Sequence, residues 1–296
     1  MIAIFRNQNG ELRNGWWILL FYLVLAALLI PTIIFTSRQG TEPGIPLQAA
    51  LVVVATYLCL LGRREHPGNV LGTLASWRRH LPIGLLSGTL IWGVTALALW
   101  LSGAVTWHTS DWGKAALATG SLDCLAVAVV EELLFRGFPF QRLVAGIGAW
   151  PAQLAMAGYF TLVHSSGLAA TGDLQWLATA NIFLAGLLFG ACYLRTKSLA
   201  LPIAMHFSLN LVQGPLLGFG VSGHGTSGVL VPDFGHSTNL WTGGAFGLEA
   251  SLPGTLAIFI ALIATLLLRP RGTPSDCTAA MMMVQSKGSP FRSSHR

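Results

Sequence analysis

Eight apolar runs, each near the length that crosses a bilayer, constrain this chain more than any other feature. They lie near 16–36, 47–62, 82–103, 119–137, 149–165, 174–194, 199–215 and 251–268. About 20 consecutive apolar residues in a helix span the hydrocarbon layer. Composition agrees, with 53% of residues hydrophobic and 9% charged, where a soluble domain carries about 25% charged residues. Mean hydropathy is +0.63. The expected fold is all-α, a polytopic transmembrane helical bundle of about eight spans filling 16–268. Residues 1–15 form a cytoplasmic N-terminal segment. The stretch 269–296 mixes Arg, Pro, Ser and Thr with Met281-Met282-Met283 and is expected to be a disordered cytoplasmic tail.

The first run has two arginines before it and lacks a small-residue cleavage pattern, so it reads as a retained span rather than a signal peptide. Basic residues orient the rest. With the N-terminus inside, 15 of the 17 Lys and Arg fall on inside segments, and only Arg38 and Lys114 lie outside. Losing any one helix would scramble that asymmetry, so it supports the span count as well as the orientation. Both termini are therefore expected in the cytoplasm of a bacterial cell, with the chain in the plasma membrane. The net charge of +6 is accounted for by this topology and implies no nucleic-acid partner.

Other features exclude more than they suggest. Cys59, Cys124 and Cys192 fall within spans and Cys277 in the tail, without a CxxC, so disulfides and thiol catalysis are not expected. The connection 216–249 contains His224, Asp233, His236 and Glu249. Their spacing matches no ligand pattern, and they read as solvated loop residues. Neither a Walker loop nor a GxGxxG fingerprint is present.

Chemistry concentrates in three short patterns. Glu131-Glu132-x-x-x-Arg136 sits in an otherwise apolar run, where one acidic residue at the bilayer centre costs roughly 2.5–3.5 kcal/mol and marks a functional position. Glu132 and Arg136 are i and i+4, the favourable order for an ion pair, while Glu131 is turned by ~100° from Glu132. One reading pairs Glu132 with Arg136 and leaves Glu131 free as a general base; the other ties both acids to Arg136 as a helix lock. Phe160-x-x-x-His164 ends the fifth run, and His206-x-x-x-Asn210 lies in the seventh. Four-residue spacing puts each pair on one helix face. Interhelical hydrogen bonding would explain either pattern alone. Together the three supply the parts of a water-activating site.

In this order, the three motifs resemble the signature of the CAAX-protease and bacteriocin-processing (CPBP, or Abi) family of intramembrane proteases. Arg136-Gly137 and the stretch from Gly190 through Arg195 to Ser198-Leu199 are similar to that family too, and the resemblance is closest over 120–215. It implies an eight-helix α-bundle with a polar cavity open to the cytoplasmic side, and hydrolysis of a peptide bond in a membrane-associated peptide or protein. Glu131 would match the essential glutamate and His164 its partner, with His206 and Asn210 the remaining pair. Glu132, Arg136 and Phe160 would support the site.

Two routes to an activated water then stand level. Glu131 with His164 takes a proton from water while His206 and Asn210 stabilise the oxyanion, or a Zn²⁺ ion held by Glu131, His164 and His206 lowers the pKa of a bound water. There is no HExxH, so any zinc site is not of the common type. A transporter with a buried Glu/His relay and a non-catalytic membrane scaffold are the readings outside enzymology. Linear counting also poses a difficulty: His164 falls near the outer end of its span and His206 near the inner end of its own. They meet only if the helices are staggered, tilted or sunk to different depths.

Overall fold

The computed structural model describes residues 2–6, 10, 12–111, 113–169, 171–225 and 227–268; the tail 269–296 lies outside them. The fold is all-α apart from one two-stranded ribbon. Helices α1 (Asn14–Arg38), α2 (Ile45–Arg63), α3 (Leu74–Leu101), α4 (Gly113–Arg136), α5 (Phe138–Ile147), α6 (Ala149–Val163), α7 (Gln175–Thr196), α8 (Ala200–Leu211) and α9 (Leu252–Leu267) follow in order. Strands β1 (Thr106–Thr109) and β2 (Leu230–Asp233) pair antiparallel, Thr106 opposite Asp233 and Thr109 opposite Leu230.

A helix stands at each of the eight predicted runs. Four segments, Asn14–Arg38, Ile45–Arg63, Gly68–Leu101 and Gly172–Thr196, are long and apolar enough to cross a membrane. Their outward residues, among them Leu23, Ile30, Leu86 and Val94, are apolar and exposed, as a lipid-facing surface requires. Helix α4 is as long, with 24 residues, but carries Asp123, Glu131, Glu132 and Arg136; the rest are shorter. Helix α8 has 12 residues and runs on as a π-helical turn over Val212–Leu216. It is enclosed by protein along nearly its whole length, so it is a core element and its polar residues need not face lipid.

Close approach to α3 holds α8 in place. At Gly84 an added Cβ would stand 2.6 Å from Ala204 Cβ, and at Gly88 it would collide with the Ser208 hydroxyl. The Gly84-x-x-x-Gly88 spacing is the small-residue stripe that lets membrane helices touch backbone to backbone, and the Ser208 hydroxyl lies 3.3 Å from the Gly84 carbonyl, to which it donates. A Gly88→Leu variant is therefore expected to melt well below wild type in detergent, since overpacking costs about 1–3 kcal/mol. Unchanged melting would show that α3 does not hold α8.

Helix α5 was not expected. It starts at once after Gly137 and buries Phe138, Pro139 and Phe140, with Phe138 stacked on Phe21 of α1 at 6.1 Å. It falls between the runs at 119–137 and 149–165, in a short stretch where Gln141 and Arg142 interrupt the apolar pattern. His164 at the end of α6 and His206 of α8 both reach the Glu131 carboxyl, so the two helices are offset as linear counting required.

Candidate active site

Helix α4 is two-faced. Gly120, Asp123, Cys124, Val127 and Glu131 recur at three- and four-residue steps, hence on one face, and that face lines a cavity of about 610 Å³. Glu132 turns into the protein. The Glu131 side chain is 21% exposed and that of Glu132 0%.

Inside, Arg136 Nη1 donates to Glu132 Oε1 at 3.1 Å and Nη2 to the Gly186 carbonyl at 2.9 Å. The rings of Phe160, Phe189 and Phe135 surround its guanidinium at 4.7, 5.2 and 5.7 Å. A delocalised, weakly hydrated cation suits such an aromatic box better than an ammonium would. Phe160 thus serves two neighbours, because its ring also lies 4.6 Å from that of His164.

Both histidines come to Glu131. His164 caps α6, and its Nδ1 lies 2.7 Å from the Phe160 carbonyl. A carbonyl only accepts, so Nδ1 carries the proton and Nε2 of the neutral ring is bare. His206, on α8, lies flat against Phe189 at 4.8 Å and donates from Nδ1 to Glu132 Oε1 at 2.9 Å, which again leaves Nε2 bare. The two Nε2 atoms stand 3.8 and 3.7 Å from the Glu131 carboxyl. Those separations exceed a direct hydrogen bond and suit a bridging water. Asn210, one turn after His206 and buried, lines the cavity beside Glu131 and His164.

All seven residues singled out in the sequence therefore converge. Glu132 does more than spacing implied, since the oxygen that pairs with Arg136 also orients His206. Three further polar residues border the histidines: Asn181, Ser222 and Glu249. Of the loop residues read as solvated, Glu249 is turned inward, and its Oε2 accepts from the Ser222 amide at 2.7 Å and hydroxyl at 3.0 Å. Nothing in local spacing marks it, because only the folding of 217–251 back over the bundle brings it here.

Two bare imidazole nitrogens and a carboxylate are donors that zinc accepts. Their arrangement is a different matter. Among the described residues no group of three or more His, Cys, Asp or Glu could hold a metal ion, so neither Glu131, His164 and His206 nor the His224, Asp233, His236 and Glu249 set fits one. Among the same residues Cys59, Cys124 and Cys192 are free and buried.

The cavity lies at one end of the bundle. Ile45 at the start of α2, Gly120 in the first half of α4, Ser166 after α6 and Ser222 and Ser227 of the long connection all border it. Arg63, Arg142 and Glu65 are at the other end, with Glu65 Oε1 taking Arg63 at 2.8 Å and Arg142 at 3.0 Å. A cytoplasmic opening and a cytoplasmic N-terminus, both expected from the sequence, thus conflict: the cavity shares its end with the 216–249 connection, and the basic residues cluster at the opposite end.

Residues 112–212 match the family model described as type II CAAX prenyl endopeptidase Rce1-like. A comparison with curated proteins found no match. The matched stretch contains all three motifs, from Glu131 to Asn210, and shows the resemblance to the CAAX-protease (CPBP) family that they carry.

Proposed function

From that kinship we propose that the chain is an intramembrane endopeptidase that hydrolyses a peptide bond of a membrane-associated peptide or protein with a water activated by Glu131. The observation that carries this reading is the carboxyl of Glu131 at the cavity wall, with two bare imidazole nitrogens 3.7 and 3.8 Å away. A water bridging these groups gives its proton to Glu131 as its oxygen bonds to the scissile carbonyl carbon. The C–N bond then breaks and Glu131 returns the proton to the departing amine. His164 orients the water, and Asn210 beside His206 faces the oxyanion and donates to it; such a donor contributes about 3 kcal/mol. The cavity is mostly apolar around these groups, which suits a substrate segment delivered from lipid. A peptide library incubated with purified protein tests the reading: cleavage that depends on Glu131 supports it, and no cleavage of any peptide would sink it.

The same reading places the reaction on the outer face. Basic residues assign the Arg63 and Arg142 end to the cytoplasm, which leaves the cavity opening outward. In a background without native cysteines, Ser227→Cys at the cavity rim is expected to react with a membrane-impermeant thiol reagent added to intact cells. Labelling only after the cytoplasm is exposed would reverse this orientation.

A further inference from the structure

A second, much smaller cavity of about 20 Å³ lies behind the catalytic imidazoles, bordered by His164, His206, Asn210, Asn181, Ser222 and Glu249. That volume accommodates one water, and a buried water needs two to four polar partners. One group there has capacity to spare: Asn181 is 1% exposed, and its Nδ2 has no hydrogen-bond partner among the described residues. Glu249, whose Oε2 takes both Ser222 donors, borders the same cavity. An orphaned buried amide costs about 1–3 kcal/mol, which favours an occupant that accepts from Asn181 and donates to Glu249.

We propose that Glu249 is a positioning residue of the hydrolytic site: with Asn181 it holds a single water in this cavity that packs behind the rings of His164 and His206 and limits their movement. The inference rests on the hydrolase reading above. Both imidazoles spend Nδ1 on fixed acceptors, so what surrounds each ring governs how firmly Nε2 faces Glu131. Glu249 borders this cavity together with both rings and transfers no proton in the proposed reaction. Burial pushes its carboxyl above the usual carboxylate range, with the two Ser222 donors and the imidazoles opposing that rise, and either protonation form can hydrogen-bond the water. The segment 217–251 thereby becomes part of the active site rather than a loop near it. Gln213 Nε2 anchors that segment by donating to the Gly220 carbonyl at 2.7 Å.

The test uses the full chain in detergent, comparing wild type with Glu249→Ala, Glu249→Gln and Asn181→Leu. On a peptide that wild type cleaves, Glu249→Ala is expected to lower kcat about tenfold to hundredfold, the range seen when a partner that orients a working imidazole is lost, with KM within about twofold. Glu249→Gln keeps a group able to bond the water and should restore part of kcat. Asn181→Leu fills the cavity and should reproduce the loss. In parallel, ring ¹⁵N signals of His164 and His206, assigned with His→Asn variants, should shift in Glu249→Ala while the melting temperature holds. Unchanged kcat and unchanged ring signals would overturn the proposal, as would a kcat loss that only follows a loss of folded protein. If wild type cleaves nothing, the hydrolase reading fails, and the ring signals still decide whether Glu249 acts on the histidines.

Discussion

A Glu131→Gln variant is expected to express and melt like wild type and to lose peptide cleavage by at least about a hundredfold. Positioned general bases contribute roughly 10²–10⁴ in rate, and the amide keeps the size of the side chain while removing its ability to accept a proton from water. Stability should hold because Glu131 makes no close pair, the imidazole Nε2 atoms standing 3.7 and 3.8 Å away. Its side chain also faces the cavity rather than the packed interior. His206→Ala and Asn210→Ala should lower kcat with little change in binding of a substrate mimic. Full activity in Glu131→Gln would remove the assignment of this glutamate as the base, and a transporter or scaffold would become the better reading of the same residues.

How far the sequence reached depends on the range of the physics involved. A helix stands at each of the eight predicted runs because hydrophobicity is a local property, and α1, α2, α7 and α9 begin and end within two residues of their predicted limits. That Glu131, Glu132, Arg136, Phe160, His164, His206 and Asn210 lie together was legible because helical i, i+4 spacing aims pairs at one point. The inward turn of Glu249 was not, since it depends on tertiary folding of a segment without a periodic pattern. The dual use of Glu132 was missed for a similar reason. Spacing shows a partner one turn away on the same helix but not a histidine arriving from α8. Helix α5 was missed because it falls between two apolar runs, and α8 was read as a span like the others because an apolar run does not show that protein encloses it.

The second large effect concerns the buried pair. Arg136→Ala is expected to destabilise the protein by about 3–5 kcal/mol, the cost of leaving one member of a buried ion pair without its partner. Here the loss would leave a fully buried Glu132 carboxylate with only the His206 ring to serve it, and would empty a box formed by three phenylalanines. Glu132→Gln should also cost stability, for the mirror reason that Arg136 is then unpaired. A purely structural pair predicts that activity per folded molecule survives these changes. The geometry predicts otherwise, because Glu132 Oε1 accepts from His206 Nδ1 at 2.9 Å and sets the tautomer that leaves Nε2 bare. The double variant Glu132→Leu with Arg136→Met separates the two roles. Replacing a buried ion pair by apolar residues of similar volume is often neutral or stabilising, so melting in detergent should recover towards wild type. Cleavage should stay low, because His206 has lost the acceptor that fixes its ring. Recovery of both stability and cleavage would mean that the pair only locks the helices together and that the orientation of His206 comes from its stacking on Phe189.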